Sequence, residues 1–168
     1  MGYKMDVIVI DNFLSVIDFD RLKLGMLGDA EFPWYFSNGV VSPTDHTDFL
    51  TNYQFTHLFY DKYKPNSEYY PYLESILNKL DPRAIIRIKA NLNPVTAEIV
   101  TYPFHIDYPD CKTAIFYLNT NNGYTIIEGE KIKSVENRIV IFDSNLTHTG
   151  TTCTDQKYRC LINFNYYE

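Results

Sequence analysis

Apolar positions change their period near the middle of this chain. In the first half they fall at helical spacing: Val16, Phe19, Leu22, Leu24 and Leu27 form one stripe, behind Ser15 and Asp18 as caps, and predict a helix running to about Leu27. A short strand over residues 5–10 precedes it and ends at Asp11-Asn12. A second helix is predicted over 70–80, with Pro71 in its first turn and Asp81-Pro82 as its stop. Residues 30–69 are aromatic and irregular, and no element is assigned there. From Ala84 onward the period is two. Strands are predicted over 84–90, 98–102, 112–119, 124–127, 131–133, 138–142 and 159–166, with Asn121-Asn122-Gly123 as a turn. Helices followed by a run of antiparallel strands predict a mainly β fold, a sandwich or barrel with the N-terminal helices on one side.

The last strand carries more than its period. Cys160, Ile162, Phe164 and Tyr166 alternate with Arg159, Leu161, Asn163 and Asn165. One face is apolar and suits packing on helices. The other holds a guanidinium and two amides, an odd lining unless something polar sits inside the barrel. Residues 112–119 place Tyr117 with that polar set.

Composition narrows the reading. At 168 residues the chain is expected to be one domain, with 1–83 as helical and irregular support and 84–168 as the β core. Hydrophobic residues at 45% and charged residues at 21% are a globular balance. The net charge of -6 and the shortness of the basic pairs Lys62/Lys64 and Lys131/Lys133 disfavour nucleic acid as partner. Three cysteines without C-x-x-C spacing, Cys111, Cys153 and Cys160, speak against a disulfide framework and for a reducing cytoplasm, the host's if the chain is viral. The N-terminus reads as no export signal, Gly2 lacks the myristoylation pattern, and no apolar stretch reaches the length of a membrane span.

The chemistry concentrates in His105-x-Asp107, followed by His148 and then Arg159. Two residues apart at a strand end, His105 and Asp107 share a face. Two imidazoles and one carboxylate without a thiolate suit iron(II) bound on one face, with the opposite positions open. Zinc is the alternative metal, although the H-E-x-x-H helix of zinc peptidases is absent. Arg159 shares its face with Asn163 and suits burial opposite an anion, such as the far carboxylate of a metal-chelating cosubstrate. His57 reads as a satisfied structural imidazole, and His46 as a lid residue on the substrate side. Trp34, with Phe32, Tyr35 and Phe36, reads as core, and residues 119–123 as a turn with no further role.

At these residues the chain resembles the iron(II)- and 2-oxoglutarate-dependent dioxygenases, in their prolyl-hydroxylase-like branch. The likeness runs through His105-Ile106-Asp107, Thr113-Ala114-Ile115-Phe116-Tyr117-Leu118-Asn119, Asn122-Gly123-Tyr124-Thr125, Asn137-Arg138-Ile139-Val140-Ile141-Phe142, His148 and Tyr158-Arg159. It implies a double-stranded β-helix, jelly-roll or cupin-like, with His105, Asp107 and His148 as iron ligands. It implies Arg159 on the distal carboxylate of 2-oxoglutarate, supported by Tyr117. Thr125 and Asn163 are counted with the same cosubstrate pocket. An assisting tyrosine of relatives has no match here, Asn91 or Asn93 falling nearest. A tryptophan of some relatives is replaced by Asn165.

The activity implied is hydroxylation of a C–H bond with Fe(II), 2-oxoglutarate and O2, releasing succinate and CO2, with ascorbate in support. Asp107, where halogenating relatives have a small residue, favours hydroxylation. The expected substrate is a peptidyl residue, proline among them, or a free amino acid, met by residues 30–69 and 93–96. The other class is a non-catalytic cupin-like module binding a metal or small molecule.

Overall fold

Period two in the second half of the chain becomes two antiparallel sheets in the computed structural model, which describes residues 7–28, 31–42 and 48–168. The strands are β1 (Ile8–Ile10), β2 (Tyr35–Asn38), β3 (Tyr53–Asp61), β4 (Lys64–Pro65), β5 (Ala84–Pro94), β6 (Lys112–Tyr117), β7 (Tyr124–Ile127), β8 (Glu130–Lys133), β9 (Ile139–Asp143), β10 (His148–Gly150) and β11 (Tyr158–Tyr167). The major sheet runs β1-β9-β6-β11-β5-β3-β2, with β4 on β3, and the minor sheet runs β10-β7-β8. Within the minor sheet, β7 and β8 form a two-residue hairpin over Glu128 and Gly129. Both have positive φ, 47° and 89°, as a primed turn requires.

The alternation of β11 sorts two cores. Cys160, Ile162, Phe164 and Tyr166 join Ala114, Phe116, Ile88 and Ala90 in a cluster that also takes Phe13, Phe19, Leu22, Met26, Leu73 and Ile76 from the helical segments. Phe116 lies at its centre, with Phe13 and Phe19 ring centroids 6.2 and 6.1 Å away. Burial of each such ring contributes about 1.5–3 kcal/mol. On the opposite face Ile115, Tyr117, Val140, Phe142 and Leu161 pack with Ile127 of the minor sheet. The helices therefore cover one face of the major sheet, and the minor sheet covers the other.

The first helix, α1 (Val16–Lys23), starts at Ser15, whose Oγ accepts from the Asp18 N–H. A π-helical turn over Leu24–Gly28 follows and shifts the register. Phe19, Leu22 and Met26, at i, i+3, i+7 spacing, are buried, whereas Val16 and Leu24 of the expected stripe are exposed. The second helical segment is a 3-10 turn at Tyr70–Leu73 leading into α2 (Glu74–Leu80), ended by left-handed Asp81. Among the described residues no helix is long and apolar enough to cross a membrane.

Four sequence expectations are corrected. Residues 98–102 form no strand: isolated bridges at Thr101↔Thr151 and His105↔His148 set the segment beside β10, and the Val100 N–H and the Tyr102 carbonyl are taken by the Thr152 and Thr149 hydroxyls. β5 continues four residues past Ala90. The irregular stretch contains β3, a nine-residue strand paired to β5 between Phe55 and Tyr60, hidden because polar Gln54 and His57 occupy inward positions. Tyr35 and Phe36 are exposed on edge strand β2 and are not core, while Phe32 is buried and Trp34 is partly buried, donating to the Met26 carbonyl. Met5, Asp6 and His46 lie outside the described residues.

Candidate metal centre

His105 and His148 belong to neighbouring segments whose backbones pair directly. Each donates its N–H to the other's carbonyl at 3.0 Å, which brings the ring centroids to 4.6 Å. Both rings are oriented in the same way. Nδ1 of His105 lies 3.2 Å from the Pro103 carbonyl, and Nδ1 of His148 lies 3.3 Å from that of Leu146. A carbonyl only accepts, so Nδ1 carries the hydrogen and the neutral ring presents the Nε2 lone pair. In His148 that Nε2 is buried with no hydrogen-bond partner.

Asp107 completes the group: one ligand atom from each of the three residues lies within 4.8 Å of the others. Its Oδ2 is crowded with donors, Asn163 Nδ2 at 2.8 Å, Arg87 NH2 at 3.1 Å and Asn165 Nδ2 at 3.3 Å. Its Oδ1 faces His105 Nε2 at 3.5 Å. One carboxylate oxygen is thereby anchored and the other left for a ligand. Burial pushes the Asp107 carboxyl up, but Arg87, the two imidazoles and Asn163 outweigh it and hold the group below its ordinary value. Burial, with His105 alongside, lowers His148 and keeps its ring neutral. Two imidazoles and an anchored carboxylate, with an orphaned buried nitrogen among them, fit a divalent cation that prefers nitrogen and oxygen donors.

The three residues open into a cavity of about 240 Å3 that also takes in Arg159, Thr125, Asn91, Asn93, Lys89, Arg87 and Gln54. Arg159 is 1% exposed. Its Nε donates to Ser134 Oγ and its NH2 to Thr125 Oγ1, each at 2.8 Å. No described carboxylate lies within ion-pair distance of it, so a buried charge stands without a counter-ion. Tyr117, fully buried and outside the cavity lining, donates to Thr125 Oγ1 at 2.8 Å, and the Arg159 guanidinium lies 5.7 Å from its ring centroid, so it supports Arg159 both directly and through that hydroxyl.

The expected site residues divide by position. His105, Asp107, His148, Arg159, Thr125, Asn91, Asn93 and Asn163 all line one cavity. Asn163 belongs to the Asp107 end, where its amide holds the carboxylate, and Asn93 donates to Gln54. Val40, Val41 and Gln54 of the unassigned stretch reach the cavity, but Pro94, Val95 and Thr96 do not. His57 is buried and satisfied, Nδ1 on the Pro33 carbonyl and Nε2 on Ser67 Oγ.

Residues 119–123 are more than a turn. Asn119 accepts from the Cys160 N–H and donates to the Tyr158 carbonyl, bracketing Arg159. A Cβ on Gly123 would meet Arg159 Cδ at 2.7 Å. Arg87 and Lys89 also escaped the sequence reading. Their signal was present, since 87, 89, 91 and 93 alternate on one polar face of β5, as 159–165 do on β11.

No family model matches this chain, and no curated protein matches it either. Solved structures do. A prolyl hydroxylase from Trichoplax adhaerens, in complex with a hypoxia inducible factor oxygen degradation domain peptide fragment, superposes with a TM-score of 0.65 at 18% identity, over 96% of this chain and 83% of that one. A prolyl-4-hydroxylase from Pseudomonas putida gives 0.63 at 13% identity, over 98% and 94%. The non-heme alpha ketoglutarate dependent epimerase SnoN from nogalamycin biosynthesis gives 0.66 at 11%, over 98% and 78%. The chain therefore has the double-stranded β-helix fold of the prolyl-hydroxylase-like 2-oxoglutarate oxygenases.

Proposed function

We propose that this protein is an Fe(II)- and 2-oxoglutarate-dependent oxygenase that hydroxylates a C–H bond of an amino-acid substrate, peptidyl or free, releasing succinate and CO2. One observation carries the reading: a single cavity has a buried guanidinium without a carboxylate partner and, facing the same space, an anchored carboxylate and two imidazoles presenting Nε2. A chelating dicarboxylate satisfies both, because its far carboxylate neutralises Arg159 and its near end reaches the metal.

His105, His148 and Asp107 Oδ1 would hold the iron, which when bound activates O2 with electrons drawn from 2-oxoglutarate. Asn163, Asn165 and Arg87 hold Asp107 Oδ2 and keep the carboxylate from rotating, so Oδ1 is the oxygen that would be offered to the metal. Thr125 and Ser134 aim the Arg159 fork, and Tyr117 fixes the Thr125 hydroxyl. Leu161, Ile115 and Tyr102 wall the cavity against water. A peptidyl substrate has its precedent in the Trichoplax enzyme with its bound peptide.

The test is succinate formation from 2-oxoglutarate by the purified protein with iron(II), ascorbate and O2, beside Asp107→Ala. Turnover lost in the variant supports the oxygenase. Absence of turnover together with absence of Arg159-dependent 2-oxoglutarate binding would overturn it in favour of a binding module.

A further inference from the structure

The charge inside the cavity is opposite to that of the chain. The protein carries a net charge of -6, yet the Lys, Arg, Asp and Glu residues lining the cavity are Arg87, Lys89 and Arg159 against Asp107 alone, a net of two positive charges from these four. A divalent metal and a 2-oxoglutarate dianion cancel each other and leave that excess in place. Two of the cations have partners: Arg87 pairs with Asp107, and Arg159 stands ready for the cosubstrate. Lys89 makes no hydrogen bond or ion pair with any described residue.

Its position separates it from the far carboxylate of the cosubstrate, which Arg159 takes. On the β5–β11 ladder Asn93 is opposite Arg159, whereas Lys89 is opposite Asn163, whose amide holds Asp107. Four residues of strand separate the two levels, about 13 Å at about 3.3 Å per residue. Lys89 thus stands at the Asp107 end of the cavity, the end away from Arg159. Gln54 of β3 and Val40 and Val41 line the same cavity. Burial, with Arg87 nearby, lowers the Lys89 ammonium to about 8 against the pull of Asp107, so at neutral pH it keeps its charge with no ion pair made.

We infer that Lys89 is a specificity-determining residue that binds a carboxylate of the substrate, and that the substrate is a small carboxylic acid such as a free amino acid rather than a residue inside a peptide. This rests on the oxygenase reading above. A residue within a peptide has its α-carboxyl tied up as an amide and offers Lys89 no charge, whereas a free acid does. The cavity of about 240 Å3, shared with the cosubstrate, suits a small molecule.

The experiment compares each common L-amino acid with its α-carboxamide as ligand of the protein loaded with iron(II) and 2-oxoglutarate without oxygen, by thermal midpoint and titration. At least one free acid is expected to bind about tenfold or more tightly than its amide, the worth of a charge-assisted hydrogen bond. Lys89→Met is expected to remove that preference. Amides binding as well as acids, or no acid binding, overturns the inference. So does a Lys89→Met protein that loses 2-oxoglutarate affinity and keeps the acid preference. Failure of 2-oxoglutarate itself to stabilise the unaltered protein sinks the oxygenase reading as well, which separates the two failures.

Discussion

His105 and His148 are backbone partners: each accepts the other's N–H at 3.0 Å, and the ladder, not the side chains, sets the spacing of their rings. This antiparallel exchange is rigid, and both Nδ1–H groups are tied to carbonyls of their own segments. The site is therefore built before a metal arrives. Asp107 has no such ladder partner and owes its orientation to side chains of β5 and β11.

That dependence predicts the effect of Asn163→Ala. Losing the 2.8 Å bond to Asp107 Oδ2 frees the carboxylate to rotate, leaving only Arg87 and the longer Asn165 contact. Metal affinity is expected to fall about 10–100-fold with the fold intact. Equilibrium metal titration followed by circular dichroism checks both halves. Unchanged affinity would mean that Arg87 suffices.

Arg159→Met distinguishes a ligand-binding arginine from a structural one. Removing half of a buried ion pair costs about 3–5 kcal/mol, but Arg159 has no carboxylate partner to strand. The metal-free variant is expected to be as stable as the parent or more so, while stabilisation by 2-oxoglutarate disappears. Denaturant unfolding with and without 2-oxoglutarate measures this. A large loss of stability in the absence of ligand contradicts it.

Gly123→Ala probes the close approach of the 119–123 segment to Arg159. The added methyl would lie 2.6 Å from the Thr152 carbonyl oxygen and 2.7 Å from Arg159 Cδ. Of these only the arginine stem can yield. Overpacking is expected to cost about 1–3 kcal/mol, and 2-oxoglutarate affinity to fall about tenfold or more as the guanidinium leaves the Thr125 and Ser134 hydroxyls. Calorimetric titration beside thermal melting reads the two separately.

Lys89 gives the metal-free protein a pH signature. Its folded value is depressed to about 8, against about 10.4 in an unfolded chain. Below about 8 the ammonium is charged in both states and its burial weighs against folding. As pH rises from about 8 towards 10.4 the folded state sheds its proton first, so stability gains relative to Lys89→Met. The parent-minus-variant difference in unfolding free energy should rise with pH across that window. A flat difference would place the ammonium in free solvent.

Much of the β half was legible because period two is a local property. β11 divides into an apolar and a polar face in the sequence as it does in space, and His105, Asp107, His148 and Arg159 stood out by residue type and order. β3 was not legible, since Gln54 and His57 face inward and mask its alternation. Nor was the true stripe of α1, where Met26 and not Leu24 continues the face of Phe19 and Leu22. Asn163 does face the cavity, whereas Tyr117, expected with the polar set, packs in the core cluster behind it, and whom either touches was not readable.

The sequence alone determined the fold class, the helix caps, the polar face of β11 and the four residues of the candidate chemistry, because each is written in local spacing or in residue type. Only the tertiary structure decided that Asn163 serves Asp107, that Tyr117 holds the Thr125 hydroxyl beside Arg159, and that Lys89 stands unpaired at the Asp107 end of the cavity. Those relations join residues from different strands. Their register is set by the packing of whole sheets, and no short stretch of chain encodes it.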